Sequence, residues 1–516
     1  LGDLGIIPYY TTEGNWVTGV HIINTADTTQ VVKLRLRRAL DSADALDFNL
    51  IMSPKDEWTG FIDDSSGDIV FATDDNTCTA PIREDGRFPM PFIFREGAEE
   101  GYIEVIGMGS ISVNSPIGYA SEHVDGVPRD CEAVASNFFR GTGVENKGVI
   151  DNETTHQTSS AVAVQNYLAS FGVVCLDSAG NAIPEGAISV GGVCQNEYDP
   201  AENALKVSYF FRDATAGTEV GNNAVHLAGF NTTGEAWMSN QETGLFSGDV
   251  YGFDYPDLNG GPFVADGSPT ALRGLFNNLR EGDVLGVASV LNDWSVASAR
   301  NVSTDWVITL PGQYNMIDYV TWAAGAGLDL ENCAKLDDPN TAGNDSVAAC
   351  DFRDIPVTAE ITLYDREEGE IVPDDGDLVI SPAPPGERNE LLLPYEVNVI
   401  QWTDGTQDAV LPSSYATTVD PSALGEFGWA SLAVTSTDDW DQYVCLYKGI
   451  TASTTWDNAP TLAPNASQAP LCVSATGSVP MVGFVAWQRS FPSNPDANYG
   501  RLVEHSFTAG AVSTAP

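Results

Sequence analysis

Residues 32–37 read Val-Lys-Leu-Arg-Leu-Arg, and this stretch decides the fold class. Apolar and charged side chains alternate along it with a period of two, which is the pattern of a β-strand with one buried face. Residues 357–363, Val-Thr-Ala-Glu-Ile-Thr-Leu, show the same alternation far along the chain. We therefore expect strands in both halves of the protein.

Further strand-like segments extend in both directions from these two stretches, separated by turn-forming clusters such as residues 63–68 and 373–377. We expect strands over residues 4–10, 16–24, 46–53, 101–107, 204–211, 223–230, 283–291, 304–310, 392–401, 427–436 and 480–488. With 49 Gly and 29 Pro, this spacing predicts an all-β protein of antiparallel β-sandwich domains, Ig-like or jelly-roll-like, with long acidic loops.

Helix signals are few. Ser268 and Pro269 precede leucines at helical spacing, which predicts a short helix near 269–280. A second short helix is expected within residues 128–139, where it would carry Cys131.

The length of 516 residues is that of about three domains. Polar stretches at 141–160 and 331–350 divide the chain into an N-terminal β-sandwich (1–145), a middle β-rich domain (146–330) and a C-terminal β-sandwich (331–516). Alternatively, the first and last thirds share a sheet, and the middle is inserted between them.

The charge balance excludes several partners. The chain has 23 Lys and Arg against 72 Asp and Glu, a formal charge of -49. Such a surface repels phosphate backbones and anionic lipids, which argues against nucleic-acid binding and membrane docking. No apolar run approaches the ~18 residues that a membrane-spanning helix needs. The chain begins Leu-Gly-Asp without Met, so we expect the mature form of a secreted protein.

Eight cysteines support an oxidising compartment. None forms a Cys-x-x-Cys pair, and none has His neighbours at zinc-binding spacing, so disulfides are expected. The simplest connectivity joins sequence neighbours, although others are possible: Cys78–Cys131, Cys175–Cys194, Cys333–Cys350 and Cys445–Cys472.

No motif indicates catalysis. The chain has no Gly-x-Ser-x-Gly elbow, no His-Glu-x-x-His, no phosphate-binding loop and no dinucleotide fingerprint, and its five histidines are scattered. We therefore expect no catalytic or cofactor-binding residues and no enzyme. A secreted glycan-active hydrolase stays open, because that reaction needs only two suitably placed carboxylates.

Calcium is the expected cofactor, in a structural role. It binds six to eight oxygen atoms from carboxylate, amide and backbone groups, and loops dense in Asp and Asn supply these. The candidate ligands are Asp63, Asp64 and Asp68; Asp254, Asp257 and Asn259; Asp337 and Asp338; and Asp374, Asp375 and Asp377.

Two segments are candidates for contacts between copies of the chain. The N-terminal strand carries Leu4, Ile6 and Ile7, which must pair with a sheet edge of its own domain or of a neighbouring molecule. Lys33, Arg35 and Arg37 place three cations in one strand, facing either acidic cross-strand partners or the acidic surface of another copy.

Several segments resemble an uncharacterised family of secreted proteobacterial cell-surface proteins of β-sandwich type. They are residues 2–11 (Gly-Asp-Leu-Gly-Ile-Ile-Pro-Tyr-Tyr-Thr), 22–25, 32–35, 46–50, 53–60, 225–230 (Val-His-Leu-Ala-Gly-Phe), 303–311 and 497–502. The resemblance implies the outer surface of a Gram-negative bacterium as the location, with no assigned activity and no catalytic residue to carry over.

Together these features predict a secreted structural cell-surface protein. We expect it to self-assemble into an S-layer lattice or extracellular filament through β-strand and calcium-bridged contacts, with copies of itself as partners and a surface glycan or lipopolysaccharide as a further partner. The alternative is a monomeric calcium-dependent carbohydrate-binding or adhesive protein. A cleft lined by exposed Trp or Tyr beside an acidic loop would favour that alternative, and Trp440 and Trp456 are the candidates.

Overall fold

A computed structural model gives the structure of the protein. It describes residues 1–135 except 41, 43, 66, 84 and 91–96, then 198–231, 236, 256, 258, 286–311, 357–367, 370–371, 390–434, 473–474, 479–509 and 513–514. Both expected domain boundaries, near 145 and 330, and the expected helix near 269–280 lie outside these residues and stay predictions.

The N-terminal part of the described chain contains fifteen strands and two short helices. In order they are β1 (Leu4–Thr11), β2 (Trp16–Asn24), β3 (Thr29–Arg38), β4 (Asp44–Met52), β5 (Glu57–Asp63), β6 (Val70–Ala72), β7 (Cys78–Ala80), β8 (Arg87–Pro89), β9 (Glu100–Ile111), α1 (Pro116–Ser121), β10 (His123–Val124), β11 (Val127–Pro128), α2 (Cys131–Ala135), β12 (Tyr198–Asp199), β13 (Leu205–Asp213), β14 (Thr218–Asn223) and β15 (Val225–Leu227).

The remaining described elements are fourteen strands. They are β16 (Gly286–Ser295), β17 (Val302–Thr309), β18 (Val357–Asp365), β19 (Glu370–Ile371), β20 (Glu390–Leu393), β21 (Val397–Trp402), β22 (Ala416–Val419), β23 (Phe427–Val434), β24 (Val473–Ser474), β25 (Val479–Pro480), β26 (Val482–Arg489), β27 (Tyr499–Glu504), β28 (Ser506–Ala509) and β29 (Ser513–Thr514). Three single 3-10 turns lie at Ser298–Arg300, Ser422–Leu424 and Pro495–Ala497.

Two sheets form the first sandwich. One has the order β15-β1-β9-β3-β4-β7 with β12 beside β9, and the other has the order β14-β13-β2-β5-β6-β8. Aromatic rings join them: Phe48 of β4 packs edge-on against Trp58 of β5 and Phe71 of β6, with ring centroids 6.0 and 5.7 Å apart. Strands from residues 198–227 therefore complete sheets that begin at the N-terminus.

Two further sheets form the second sandwich. One has the order β19-β18-β23-β16-β25, with β20 beside β18 and β28 beside β16, and the other has the order β22-β21-β17-β26-β27. Their inner faces meet at three buried tryptophans, Trp294, Trp306 and Trp402. Among the described strand pairs of the larger sheets, only β21 and β22 run parallel. The expected all-β class of antiparallel sandwiches is confirmed.

The two sandwiches share one apolar core, which runs through all four large sheets. Phe484 of β26 packs 5.8 Å from the ring of Phe211 in β13. The backbone N–H of Val397 donates to the carbonyl of Ala39 at 3.0 Å, and the Asn498 amide donates to the carbonyl of Ala216 at 2.8 Å. Among the described strands, none from 331–516 pairs in a sheet with one from 1–145.

The two helices cover the outer face of the first sheet. Ser115 caps α1, because its hydroxyl accepts a hydrogen bond from the Gly118 N–H at 3.0 Å. Apolar residues of both helices and of the sheet form a second, smaller core that includes Ile117, Val134 and Met108. With six and five residues, neither helix is long enough to cross a membrane, and no other described helix is long and apolar enough to do so.

Candidate ligand-binding surface

The N-terminal strand lies inside its own sheet. β1 pairs with β15 on one side and β9 on the other, and all eight of its residues are buried. The expected docking residues Leu4, Ile6 and Ile7 are therefore part of the core of one copy of the chain.

The cations of β3 are buried as well, with acidic partners on neighbouring strands. Lys33 Nζ lies 2.9 Å from an Asp47 carboxylate oxygen of β4, and Arg37 Nε lies 3.3 Å from a Glu104 carboxylate oxygen of β9. Arg35 stands in register with both Asp47 and Glu104. The sequence left open whether these cations face acidic cross-strand residues or the acidic surface of another copy. In the structure, they face acidic residues on neighbouring strands of the same sheet.

One group of expected calcium ligands lies in the described chain. Asp63 ends β5, and its carboxylate accepts hydrogen bonds from the Ser65 N–H at 3.1 Å and the Ser65 hydroxyl at 2.8 Å, which close a local turn. Asp64 and Asp68 lie in the same β5–β6 loop. Within the described ranges, no group of three or more His, Cys, Asp or Glu side chains is placed to hold a metal ion.

The other expected calcium ligands lie outside the described residues, and calcium stays a prediction. They are Asp254, Asp257, Asn259, Asp337, Asp338, Asp374, Asp375 and Asp377.

The expected disulfide between Cys78 and Cys131 is present and ties α2 to β7. Cys175, Cys194, Cys333, Cys350, Cys445 and Cys472 lie outside the described residues, so their pairing stays a prediction.

A Ser-His-Asn arrangement lies next to this disulfide. The His123 Nε2–H donates to Asn76 Oδ1 at 3.0 Å, and His123 Nδ1 accepts from the Ser53 hydroxyl at 2.9 Å. Asn76 also donates to the Gly126 carbonyl at 2.7 Å. Ser53 is buried, so its hydroxyl is closed to a substrate and the network braces the β10–β11 hairpin.

Two buried carboxylates hold the loop between β21 and β22. Asp305 of β17 accepts from the Leu411 N–H at 2.7 Å, and Glu100 of β9 accepts from the Ser414 N–H at 2.7 Å and the Tyr9 hydroxyl at 2.6 Å. Burial raises the pKa of Asp305 to about 7 and also raises the pKa of Glu100. Glu100 belongs to the first sandwich and Asp305 to the second, so this loop fastens one to the other.

The second sandwich carries an exposed aromatic surface. We call it the aromatic strip, and its residues are Tyr364, Trp429, Asp293, Arg501, Trp487 and Tyr499. Sequence alternation sets the orientation of its first part: in β23, Ala430 and Leu432 face the core, so Trp429 faces outward. The Trp429 ring stacks on Tyr364 of β18 with centroids 3.9 Å apart and planes at 8°.

The strip continues across β16 to the other sheet. Asp293 is the register partner of Trp429, and its carboxylate lies 3.3 Å from the Arg501 guanidinium. That guanidinium lies 5.3 Å from the centre of the Trp487 ring, which in turn lies 5.6 Å from Tyr499. The side chains of Asp293 and Arg501 are 48% and 57% exposed, so the pair remains accessible to a ligand.

This combination of groups suits carbohydrate. The negatively polarised face of an aromatic ring attracts the C–H face of a sugar, while a carboxylate accepts and a guanidinium donates hydrogen bonds to hydroxyls. Two aromatic rings of this sandwich already lie near guanidinium groups: Arg300 and Arg366 are 5.4 and 5.6 Å from the centre of Phe427, as Arg501 is 5.3 Å from that of Trp487.

This surface was not predicted from the sequence, and the two tryptophans expected to form a binding site, Trp440 and Trp456, lie outside the described residues. A signal was present in residues 427–432, Phe-Gly-Trp-Ala-Ser-Leu, where Ala430 and Leu432 share one strand face and Trp429 lies on the other.

Comparison with protein-family models, with curated proteins and with solved structures finds no match. The resemblance to secreted proteobacterial cell-surface proteins therefore stays a prediction.

Proposed function

We propose that this chain is an extracellular carbohydrate-binding or adhesive protein that binds a glycan on the aromatic strip. The observation that supports this most strongly is Trp429, which is 40% exposed on the outer face of a sheet and held rigid by its stack on Tyr364. A rigid exposed aromatic side chain provides a large contact area with little entropy to lose on binding. In this proposal calcium supports the acidic loops, and the location is the outer surface of a Gram-negative cell.

A glycan array followed by calorimetry with the best ligand tests the proposal. We expect Trp429→Ala to weaken binding by about tenfold or more, as loss of a central aromatic contact does. Phe61→Ala is the matched control, because Phe61 is 38% exposed but lies on β5 of the first sandwich. Wild-type protein that binds no glycan, or equal loss in both variants, would contradict the proposal. Repeating the titration in EGTA tests the dependence on calcium.

A second candidate is self-assembly into a lattice or filament, and the β10–β11 hairpin favours it. Val124 and Val127 are exposed at its tip, where Asp125 and Gly126 both have positive φ, as a tight two-residue turn requires. The disulfide and the His123 network brace this tip, so it presents a rigid apolar surface to another copy. Calcium would offset the repulsion between copies that each carry -49.

Negative-stain microscopy in calcium and then in EGTA tests self-assembly. We expect ordered sheets or fibres in calcium that dissolve on chelation and do not form in a variant with Val124→Ser and Val127→Ser. Single particles in both solutions would rule out this second candidate and leave the binding protein.

A further inference from the structure

We propose that the ligand of the aromatic strip is a neutral polysaccharide, and that Asp293 and Arg501 bind its hydroxyl groups. The inference rests on the proposed carbohydrate-binding function and adds the substrate class and two polar recognition residues.

Asp293 lies beside Trp429 on the neighbouring strand. Tyr364, Trp429 and Asp293 form one row across three adjacent strands, because Trp429 is in register with both of the others. Directly opposed side chains lie about 4.5–5.5 Å apart at Cβ. Tyr364 covers one face of the Trp429 ring, and in the described part of the chain Trp429 makes no second ring contact. The other face therefore adjoins a short carboxylate, which leaves room for a sugar ring.

The Asp293–Arg501 pair offers both hydrogen-bond acceptors and donors to a ligand. One contact of 3.3 Å joins the two groups, whereas a guanidinium has five N–H donors and a carboxylate has about four acceptor positions. Both side chains are about half exposed, so donors and acceptors remain for neighbouring hydroxyls of one sugar. The pair is electrically neutral as a unit, which suits a neutral ligand.

The strip extends from one sheet of the second sandwich to the other. Beyond Arg501, the exposed Tyr499 lies 5.6 Å from the half-buried Trp487 on the other sheet of the sandwich, and the Arg501 guanidinium lies over the Trp487 ring. Exposed aromatic residues, Trp429 and Tyr499, therefore lie on both sides of the polar pair, and we infer that the site suits a chain of sugars better than a monosaccharide.

The net charge of the protein disfavours an anionic ligand. The protein has a formal charge of -49, so its electrostatic field repels an anionic polysaccharide at low salt. The other arginines near the strip lie over phenylalanine rings: Arg300 and Arg366 over Phe427, and Arg489 over Phe491 at 5.0 Å. This field does not repel a neutral polysaccharide, so the binding of such a ligand should depend little on the salt concentration.

Affinity electrophoresis with matched polymers tests the inference. The probes are hydroxyethylcellulose, dextran and galactomannan, each beside its carboxymethylated derivative, at about 20 mM and about 500 mM NaCl. We expect at least one neutral polymer to retard the protein equally at both salt concentrations, and its carboxymethyl derivative to bind more weakly at low salt. Arg501→Gln and Asp293→Asn should each weaken retardation by about tenfold.

The controls separate this inference from the function on which it rests. Phe61→Ala should leave retardation unchanged, and equal melting temperatures of all variants show that they fold. Tighter binding of a carboxymethyl polymer that is lost in Arg501→Gln would overturn the neutral-ligand inference and keep carbohydrate binding. Neutral binding that neither Arg501→Gln nor Asp293→Asn alters would overturn the role of the pair. No retardation by any polymer, together with an empty glycan array, would overturn both proposals.

Discussion

The Nε2 atom of His505 lies 3.0 Å from the carbonyl oxygen of Val307, and this contact sets the proton position of a buried imidazole. A carbonyl oxygen only accepts, so the proton is on Nε2 and Nδ1 accepts from the Asn292 amide at 3.3 Å. Gly483 makes the contact possible, because a Cβ there would lie 2.0 Å from the Val307 oxygen. Burial lowers the pKa of His505 to about 4.

Replacing this histidine should remove a source of acid instability. Between about pH 6.5 and about pH 4 the unfolded chain protonates His505 while the folded chain does not, so stability falls as the pH falls through this range. In His505→Gln, the glutamine amide can still donate to the Val307 carbonyl. Between pH 7 and pH 4, the free energy of unfolding of this variant should fall by about 3 kcal/mol less than that of the wild type. Urea unfolding at several pH values measures this. Parallel pH curves for the variant and the wild type would show that His505 titrates normally in the fold.

Asp305 should have the opposite effect. Because burial raises its pKa to about 7, the folded chain keeps a proton that the unfolded chain has released above about pH 4. Its contribution to stability is therefore lost as the pH rises from about 4 to about 7. Asp305→Asn keeps an acceptor for the Leu411 N–H. As the pH rises from 4 to 8, the free energy of unfolding of this variant should increase by about 4 kcal/mol relative to that of the wild type. A difference that is constant with pH would contradict the raised pKa.

Combining the two variants tests both assignments together. Between about pH 4 and pH 6.5 the two groups change stability in opposite directions, so their effects largely cancel in the wild type. Each single variant should thus have a steeper pH dependence in this range than the double variant, with opposite signs. Urea unfolding of all four proteins measures this coupling.

The ion pair between Lys33 and Asp47 should be needed for folding. Removing one partner takes a buried charge out of the network of β3, β4 and β9, so Lys33→Met and Asp47→Leu should each cost about 3–5 kcal/mol, and the double variant should lose less than the sum of the two. Denaturant unfolding with light scattering measures stability and oligomeric state together. Lys55→Met is the control: its pair with Asp27 is exposed and should contribute under about 1 kcal/mol. Single variants that keep full stability but lose oligomers would instead indicate a contact between copies.

The Cys78–Cys131 disulfide should stabilise the helical cover of the first sheet. It closes a loop with a sequence separation of 53, for which the chain-entropy relation gives about 4 kcal/mol. A variant with Cys78→Ser and Cys131→Ser should lose about this much, and amide exchange should rise first in α1, α2 and the β10–β11 hairpin. Unchanged exchange there would mean that packing alone holds the helices. The strands of the second sandwich serve as the internal control.

Many long strands were predictable because each is a short apolar or alternating run bounded by turn-forming residues. The segment expected over 16–24 is observed as β2 with the same bounds, and those expected over 4–10 and 427–436 differ from β1 and β23 by one or two residues at one end. The segment expected over 392–401 was wrong as a single strand. Pro394 lacks an N–H and ends β20, and β21 then begins in the other sheet of the sandwich.

The expected strand over 223–230 failed for a related reason. β14 ends at Asn223 in one sheet of the first sandwich, and β15 begins at Val225 in the other. A chain that changes sheets keeps its apolar pattern, so the pattern alone does not reveal the change.

The sequence by itself determined the all-β class and most of the long strands, while the pairing of Cys78 with Cys131 was one of several connectivities that it left open. Only the tertiary structure decided which faces are covered. In β3 and β23, Lys33 and Trp429 lie on the strand face opposite the one that carries the alternating apolar residues. Nevertheless, Lys33 is buried beside Asp47, whereas Trp429 is exposed beside Asp293. The physical reason is that a period of two separates the faces of a strand, whereas segments distant in the sequence determine what packs on each face.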